Sequence, residues 1–170
     1  MIGNDVIDLA LACKESNWRR TGFLEKIFTD KEQLLIKNST NPELLIWNLW
    51  SRKESAYKIF NRETGIRAYI PKQLECFYTN DSLGFVLCNG NCYYTLTTIE
   101  NDFLHTIAVS ELSYLDQIIS IDTKTAIIKK EGVPFLHSND EIALQPVSIS
   151  HHGRYNQTIA LKFKSILLKT

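Results

Sequence analysis

Apolar residues recur at two different periods along this chain, and the changeover falls near Gly65. At the start, Ile2, Val6, Ile7 and Leu9 are interleaved with polar residues, which predicts a strand over residues 1–11. A short helical piece is expected over 14–27. Thr29 stands three residues before Glu32, the spacing of a capping box, in which hydroxyl and carboxylate each satisfy a free backbone N–H. That predicts a helix through Ile36. The best-defined element comes next. Asn41 can cap it, and Pro42 suits its first turn because the missing N–H costs nothing there. It runs through about Asn61, with Gly65 as its stop. Beyond Gly65 the period is that of strands, with candidates at 76–79, 85–88, 93–99, 106–112, 125–129, 147–151 and 158–163. Asn89-Gly90 predicts a type I′ hairpin between two of them. Residues 112–121 fit either a strand or a short helix. Helices early and strands late give an α+β class, with helices packed on a mainly antiparallel sheet.

Composition narrows the function classes. The chain has 170 residues, which suits one domain over 1–170, and 44% are hydrophobic, enough for a proper core. Lysine plus arginine and aspartate plus glutamate balance at 19 each, which argues against a general nucleic-acid binder while leaving room for a local basic patch. No apolar run is long enough to span a membrane, and Met1-Ile2-Gly3-Asn4-Asp5 has neither the basic region nor the apolar core of a signal peptide. The expected location is the cytoplasm. Cys13, Cys76, Cys88 and Cys92 fit no usual zinc spacing and read as small apolar residues.

The long helix carries an unusual face. With Glu54 at zero and each residue advancing by about 100°, Trp47, Trp50, Ser51 and Lys58 fall beside it. Ile46, Leu49, Ala56, Tyr57 and Phe60 form the adjacent core stripe, and Lys53 lies within that stripe. A lysine there either extends its head to water or meets a buried anion. Glu54 and Lys58 alone would read as an ordinary i,i+4 surface pair. Together with Arg52 and Lys53 they make a cation-flanked carboxylate, which suits an anionic ligand and a metal. The first strand adds Asp5 and Asp8. Three residues apart, they point to opposite faces of a regular strand, and Asp8 can cap a following helix instead. Late in the chain, Ser148-Ile149-Ser150-His151-His152-Gly153-Arg154 puts Ser148, Ser150 and His152 on one face and His151 on the other, a polar rim suited to phosphate. A serine-hydrolase reading fails for want of a nucleophile-elbow G-x-S-x-G.

These segments together resemble the 4′-phosphopantetheinyl transferase superfamily. Its opening strand reads G-x-D-h-h-[DE], where h is apolar; here it is Gly3-Asn4-Asp5-Val6-Ile7-Asp8. Its helix reads [FW]-[SATC]-x-K-E-[SA]-x-x-K; here it is Trp50-Ser51-Arg52-Lys53-Glu54-Ser55-Ala56-Tyr57-Lys58. Phe28-Thr29-Asp30-Lys31-Glu32 looks like the start of the intervening helix. Gly132-Val133-Pro134 and Ser148-Ile149-Ser150-His151 resemble late elements of the short, holo-acyl-carrier-protein-synthase branch. The stretch 94–109 looks more like the second half of the long branch, and Asn4 stands where the family has an apolar residue.

The resemblance implies an enzyme that moves the 4′-phosphopantetheine moiety of coenzyme A to a serine of an acyl (or peptidyl) carrier protein and releases 3′,5′-ADP, as in fatty acid biosynthesis. It implies Mg²⁺ held by Asp5 and Glu54, with Asp8 as a third acid. It also implies Glu54 as a possible base, and Lys53, Lys58, Ser150 and His151 as contacts to coenzyme A. Partners would be coenzyme A and acyl carrier protein, with neither nucleic acid nor membrane. Short-branch members resemble homo-trimers with active sites between subunits and long-branch members are monomeric pseudo-dimers; both assemblies stay open. The alternative function is a catalytically inactive relative that binds coenzyme A or a carrier protein.

Overall fold

The computed structural model describes residues 1–122, 127–130, 132–136 and 145–162. The chain opens with β1 (Ile2–Asp8) and turns directly into α1 (Leu9–Glu15). The expected strand over 1–11 therefore ends early. The reason is local: the Asp8 carboxylate accepts the Leu11 N–H and caps a helix built on Leu9, Ala10, Leu11 and Ala12. The single helical piece expected over 14–27 is two, α1 and α2 (Phe23–Ile27), separated by a turn in which Gly22 takes φ +81°. The capping box forms as expected at the start of α3 (Asp30–Asn38), with Thr29 and Glu32 bonded reciprocally. Helix α4 (Pro42–Thr64) is capped by the Asn41 side chain on Leu44 N–H and stopped by Gly65 in the left-handed region at φ +73°.

Five antiparallel strands in the order β1-β5-β4-β3-β2 form the first sheet, from β2 (Leu74–Tyr78), β3 (Leu83–Cys88), β4 (Asn91–Glu100) and β5 (Phe103–Val109). Asn89 and Gly90 both have positive φ, as the predicted I′ turn requires. Residues Leu112–Gln117 form a 3₁₀ turn and lead into β6 (Ile118–Ser120). A second sheet follows the order β6-β10-β9-β8-β7, from β7 (Ile127–Lys130), β8 (Val133–Leu136), β9 (Gln145–His152) and β10 (Tyr155–Leu161). Of the strand expected at 125–129, residues 125 and 126 lie outside the described residues, as does residue 163 of the last one. Strand β8 was not expected, because Gly132-Val133-Pro134 reads as a turn; Gly132 is the turn and Val133 begins the return strand. All four cysteines are free, and Cys13 is exposed rather than packed. No helix among the described residues is long and apolar enough to cross a membrane.

Two apolar clusters hold the layers together. The larger lies between the helices and one face of the first sheet, through residues such as Ile7, Leu49, Ala56, Ile59, Val86 and Leu104. The smaller, built on Ile2, Val109 and Ile159, packs the other face of β1 and β5 against β10. Strand β1 is therefore covered on both faces. Its free edge runs beside β9, and side chains rather than a backbone ladder close that seam. Asn4 N–H donates to Ser148 Oγ at 2.9 Å and Asp8 N–H to His152 Nδ1 at 2.9 Å. From α4, Lys58 Nζ donates to the carbonyls of Asn4 (2.5 Å) and Ile149 (3.2 Å), and Arg62 to those of Ile2 (3.0 Å) and Val147 (2.8 Å).

Candidate active site

The site begins with a glycine. A Cβ on Gly3 would stand 2.1 Å from the carbonyl oxygen of Ser55, so only glycine lets α4 lie this close to β1. That approach brings the motif residues of strand and helix together. Asp5 faces α4 on the same side of β1 as Gly3, and Glu54 and Lys58 come to it from the helix. The three charges act on one another. Burial pushes the Asp5 carboxyl pKa up, against the pull of Lys58. Burial and the nearby Asp5 carboxylate push Glu54 up to about 7, again against Lys58. Lys58 is itself lowered by burial, while both carboxylates hold it up. Tyr69, packed edge-on to Trp50 at 5.9 Å between ring centroids, presents its hydroxyl near Glu54 without closing a well-formed hydrogen bond.

Asp5 Oδ2 is buried and has no hydrogen-bond partner among the described residues. Two half-buried carboxylates close enough to act on each other, one with an orphaned oxygen, make a hard-oxygen donor set that a divalent cation would relieve. Magnesium typically takes one or two protein carboxylates and completes its shell with water and phosphate, so two acids suffice. Among the described residues no group of three or more His, Cys, Asp or Glu is arranged to hold a metal. Asp8, expected as a third acid, is engaged elsewhere. It lies on the opposite face of β1, and its two oxygens accept from Arg154 Nε (2.7 Å) and Nη2 (2.8 Å), which holds its carboxyl well below the usual range.

Packing buries two further residues expected to contact coenzyme A. Lys53 is fully buried. Its ammonium pairs with Glu32 at 2.7 Å and donates to the carbonyls of Pro71 (2.9 Å) and Leu74. Glu32 serves two further N–H groups, Thr29 and Cys76, so this lysine has met its buried anion and locks α3 and β2 onto α4. Ser150 is buried in the seam facing β1, where its hydroxyl has no partner among the described residues. Arg52 is equally buried, bonded to Asn48 Oδ1, Thr95 Oγ1 and Ser82 O, in a space that Gly84 leaves open. Of the three cations around Glu54, only Lys58 shares its face, because adjacent helical positions diverge by about 100°.

His151 lies on the opposite face of β9 from Ser150 and is exposed. It stands between two hollows. One, of about 550 Å³, is lined by Lys58, Arg62, Arg67, Lys129, His151 and the Gly132-Val133-Pro134 turn, with no acidic residue among the described residues of its wall. The other, of about 250 Å³, is lined by Asp5, Trp47, Trp50, His151 and His152 among others. Arg67 is brought to the first by the bond from Tyr57 Oη to its carbonyl at 2.6 Å. Arg62, Arg67 and Lys129 were not singled out from the sequence. Arg62 follows Lys58 by four residues, and that i,i+4 repeat was the available signal.

Against known proteins, the family model described as the 4′-phosphopantetheinyl transferase superfamily matches residues 1–107, which include Asp5, Glu54 and Lys58. The chain belongs to the 4′-phosphopantetheinyl transferase superfamily. It is accordingly an enzyme of that superfamily, and its α+β fold is that of the phosphopantetheinyl transferases. A holo-[acyl-carrier-protein] synthase of Caldanaerobacter subterraneus subsp. tengcongensis is 31% identical over 89 residues, which are 52% of this chain and 68% of the relative. The crystal structure of Thermotoga maritima holo-[acyl-carrier-protein] synthase shares the fold at a TM-score of 0.50 and 15% identity, covering 81% of this chain and 82% of that one. The superfamily match ends before β6, so Ser150 and His151 lie beyond it.

Proposed function

We propose that this transferase moves the 4′-phosphopantetheine moiety of coenzyme A onto a serine of an acyl (or peptidyl) carrier protein, releasing 3′,5′-ADP, with residues 1–170 acting as one domain in the cytoplasm. The observation that carries this reading is the meeting of Asp5, Glu54 and Lys58 beside a hollow whose charged side chains, among the described residues, are cationic. Coenzyme A is a polyanion, and such a wall suits its phosphates.

Asp5 and Glu54 would hold Mg²⁺, which supplies charge neutralisation on the two phosphates of the donor. The serine oxygen of the carrier protein attacks the phosphorus that bears the pantetheine arm. The bond from that phosphorus to the bridging oxygen breaks, and 3′,5′-ADP leaves with the electron pair. Glu54 takes the serine proton, directly or through water. Lys58 spends two N–H groups on Asn4 O and Ile149 O, which fixes its ammonium at the mouth of the hollow, with the third directed to the phosphate charge. His151, Arg62, Arg67 and Lys129 line the space for the nucleotide half.

The reading is tested by labelling acyl carrier protein from a fluorescent coenzyme A. Labelling is expected with Mg²⁺ and not after exhaustive chelation, and His151→Ala should raise KM for coenzyme A more than it lowers kcat. Metal-independent labelling would overturn the carboxylate assignment.

A further inference from the structure

Asn4 departs from the family pattern at the centre of the first motif, and the transfer chemistry gives it no task. Its surroundings suggest one. It is fully buried on the face of β1 opposite Asp5, and its polar groups reach four other elements. Its N–H donates to Ser148 Oγ on β9 at 2.9 Å. Its carbonyl accepts from Lys58 on α4 at 2.5 Å. Its side-chain amide Nδ2 lies 3.2 Å from His105 Nε2 on β5 and donates to Gln157 O on β10 at 3.2 Å.

We infer that Asn4, held by His105, is a positioning residue of the transferase: it fixes the β1 carbonyl that anchors the Lys58 ammonium, and with it the backbone that carries Asp5. The inference rests on the transfer reading above. Register puts the pair together. Val6 is opposite His105 and Asn4 opposite Ile107, so Asn4 and His105 are diagonal neighbours on one face. The amide must face His105 and Gln157 with its nitrogen, because a backbone carbonyl only accepts. His105 Nε2 is then the acceptor, which needs a neutral ring. Burial, reinforced by Lys58, holds that imidazole down to about 4 and keeps it neutral.

Stability alone gives no account of this asparagine. Its Oδ1 is buried with no partner among the described residues, a cost that offsets much of what two ordinary hydrogen bonds contribute. An apolar residue of the same size would be about as stable, yet it would let β1 settle against β10 without reference to His105. The amide makes the position of β1 depend on two fixed acceptors, and Lys58 is bonded to the same residue. Chemistry on a phosphate is sensitive to small displacements of the groups around it, where about 1 Å can cost up to a hundredfold.

The test compares Asn4→Leu, His105→Leu, the double variant and His105→Gln in carrier-protein labelling by the whole chain, with melting temperature measured in parallel. Asn4→Leu should lower kcat about tenfold with KM for coenzyme A changed by less than about twofold. His105→Leu should match it, and the double variant should be no worse than either single change. His105→Gln, which keeps an acceptor, should stay near wild type. If Asn4→Leu does not fold, the contrast between His105→Gln and His105→Leu still decides. Unchanged kcat in Asn4→Leu, or losses that multiply in the double variant, overturn the inference. A wild-type chain that labels nothing overturns the transfer reading instead.

Discussion

Replacing Gly3 by alanine should damage both the fold and the chemistry, for one geometric reason. The added methyl would lie 2.1 Å from the Ser55 carbonyl oxygen, where ordinary contact begins at 3.4 Å. The obstacle is backbone, so no rotamer change can relieve it. Helix α4 would have to retreat from β1 by the difference, about 1.3 Å. Overpacking of this kind costs about 1–3 kcal/mol, which in a domain of this size lowers the melting temperature by roughly 3–10 °C. Ser55 follows Glu54 directly, so the same retreat carries Glu54 away from Asp5. A displacement on the order of 1 Å between paired catalytic groups is worth up to about a hundredfold in rate. The assay is carrier-protein labelling at saturating coenzyme A alongside a thermal melt. If Gly3→Ala kept wild-type turnover, the close approach of strand and helix would not be what builds the site, and the reasoning would fail.

Lys53→Met should destabilise the protein by about 3–5 kcal/mol, because it strands Glu32 as an unpaired buried charge, while turnover per folded molecule changes little; a kcat loss in fully folded protein would return Lys53 to the site. Glu54→Gln should abolish labelling and yet raise the melting temperature of metal-free protein above pH 7. The folded pKa of Glu54 lies above its unfolded value, so the native carboxylate costs stability as pH rises from about 4.5 to about 7, and glutamine removes that cost. Adding Mg²⁺ should stabilise the wild type and leave the variant unmoved, and a variant less stable at pH 8 without metal would contradict the assignment. Arg154→Ala should blunt acid unfolding. Asp8 is held below its usual range by Arg154, so its contribution is present above about pH 4 and lost below, and the variant has less to lose in a melt series from pH 5 to pH 2.

Much of this was legible in the sequence. The Thr29 capping box, the Asn41 cap, the Gly65 stop and the Asn89-Gly90 hairpin are local devices, and each forms where its residues stand. Helical phase likewise put Lys58, and not Arg52 or Lys53, on the face of Glu54. What the sequence hid depends on distant partners. Lys53 falls in the core stripe, yet nothing local names Glu32, a capping-box carboxylate, as the anion it meets once β2 closes over both. Asp8 reads as a third acid until Arg154, 146 residues later, takes its carboxylate. Ser150 and His151 are adjacent, yet the pleat buries one in the seam and turns the other to the hollow. Arg62 and Asn4 matter only because β9 runs beside β1, a proximity that no local period announces.

The central claim is that the pair Asp5 and Glu54 drives transfer of phosphopantetheine to a serine. Its most direct test is the intact mass of an acyl carrier protein after incubation with coenzyme A, Mg²⁺ and the full chain, followed by mapping of the modified residue. The account predicts a gain of one phosphopantetheine on one serine with wild type, and none with Asp5→Asn or Glu54→Gln proteins that melt cooperatively. The same gain with both carboxylates replaced would contradict it.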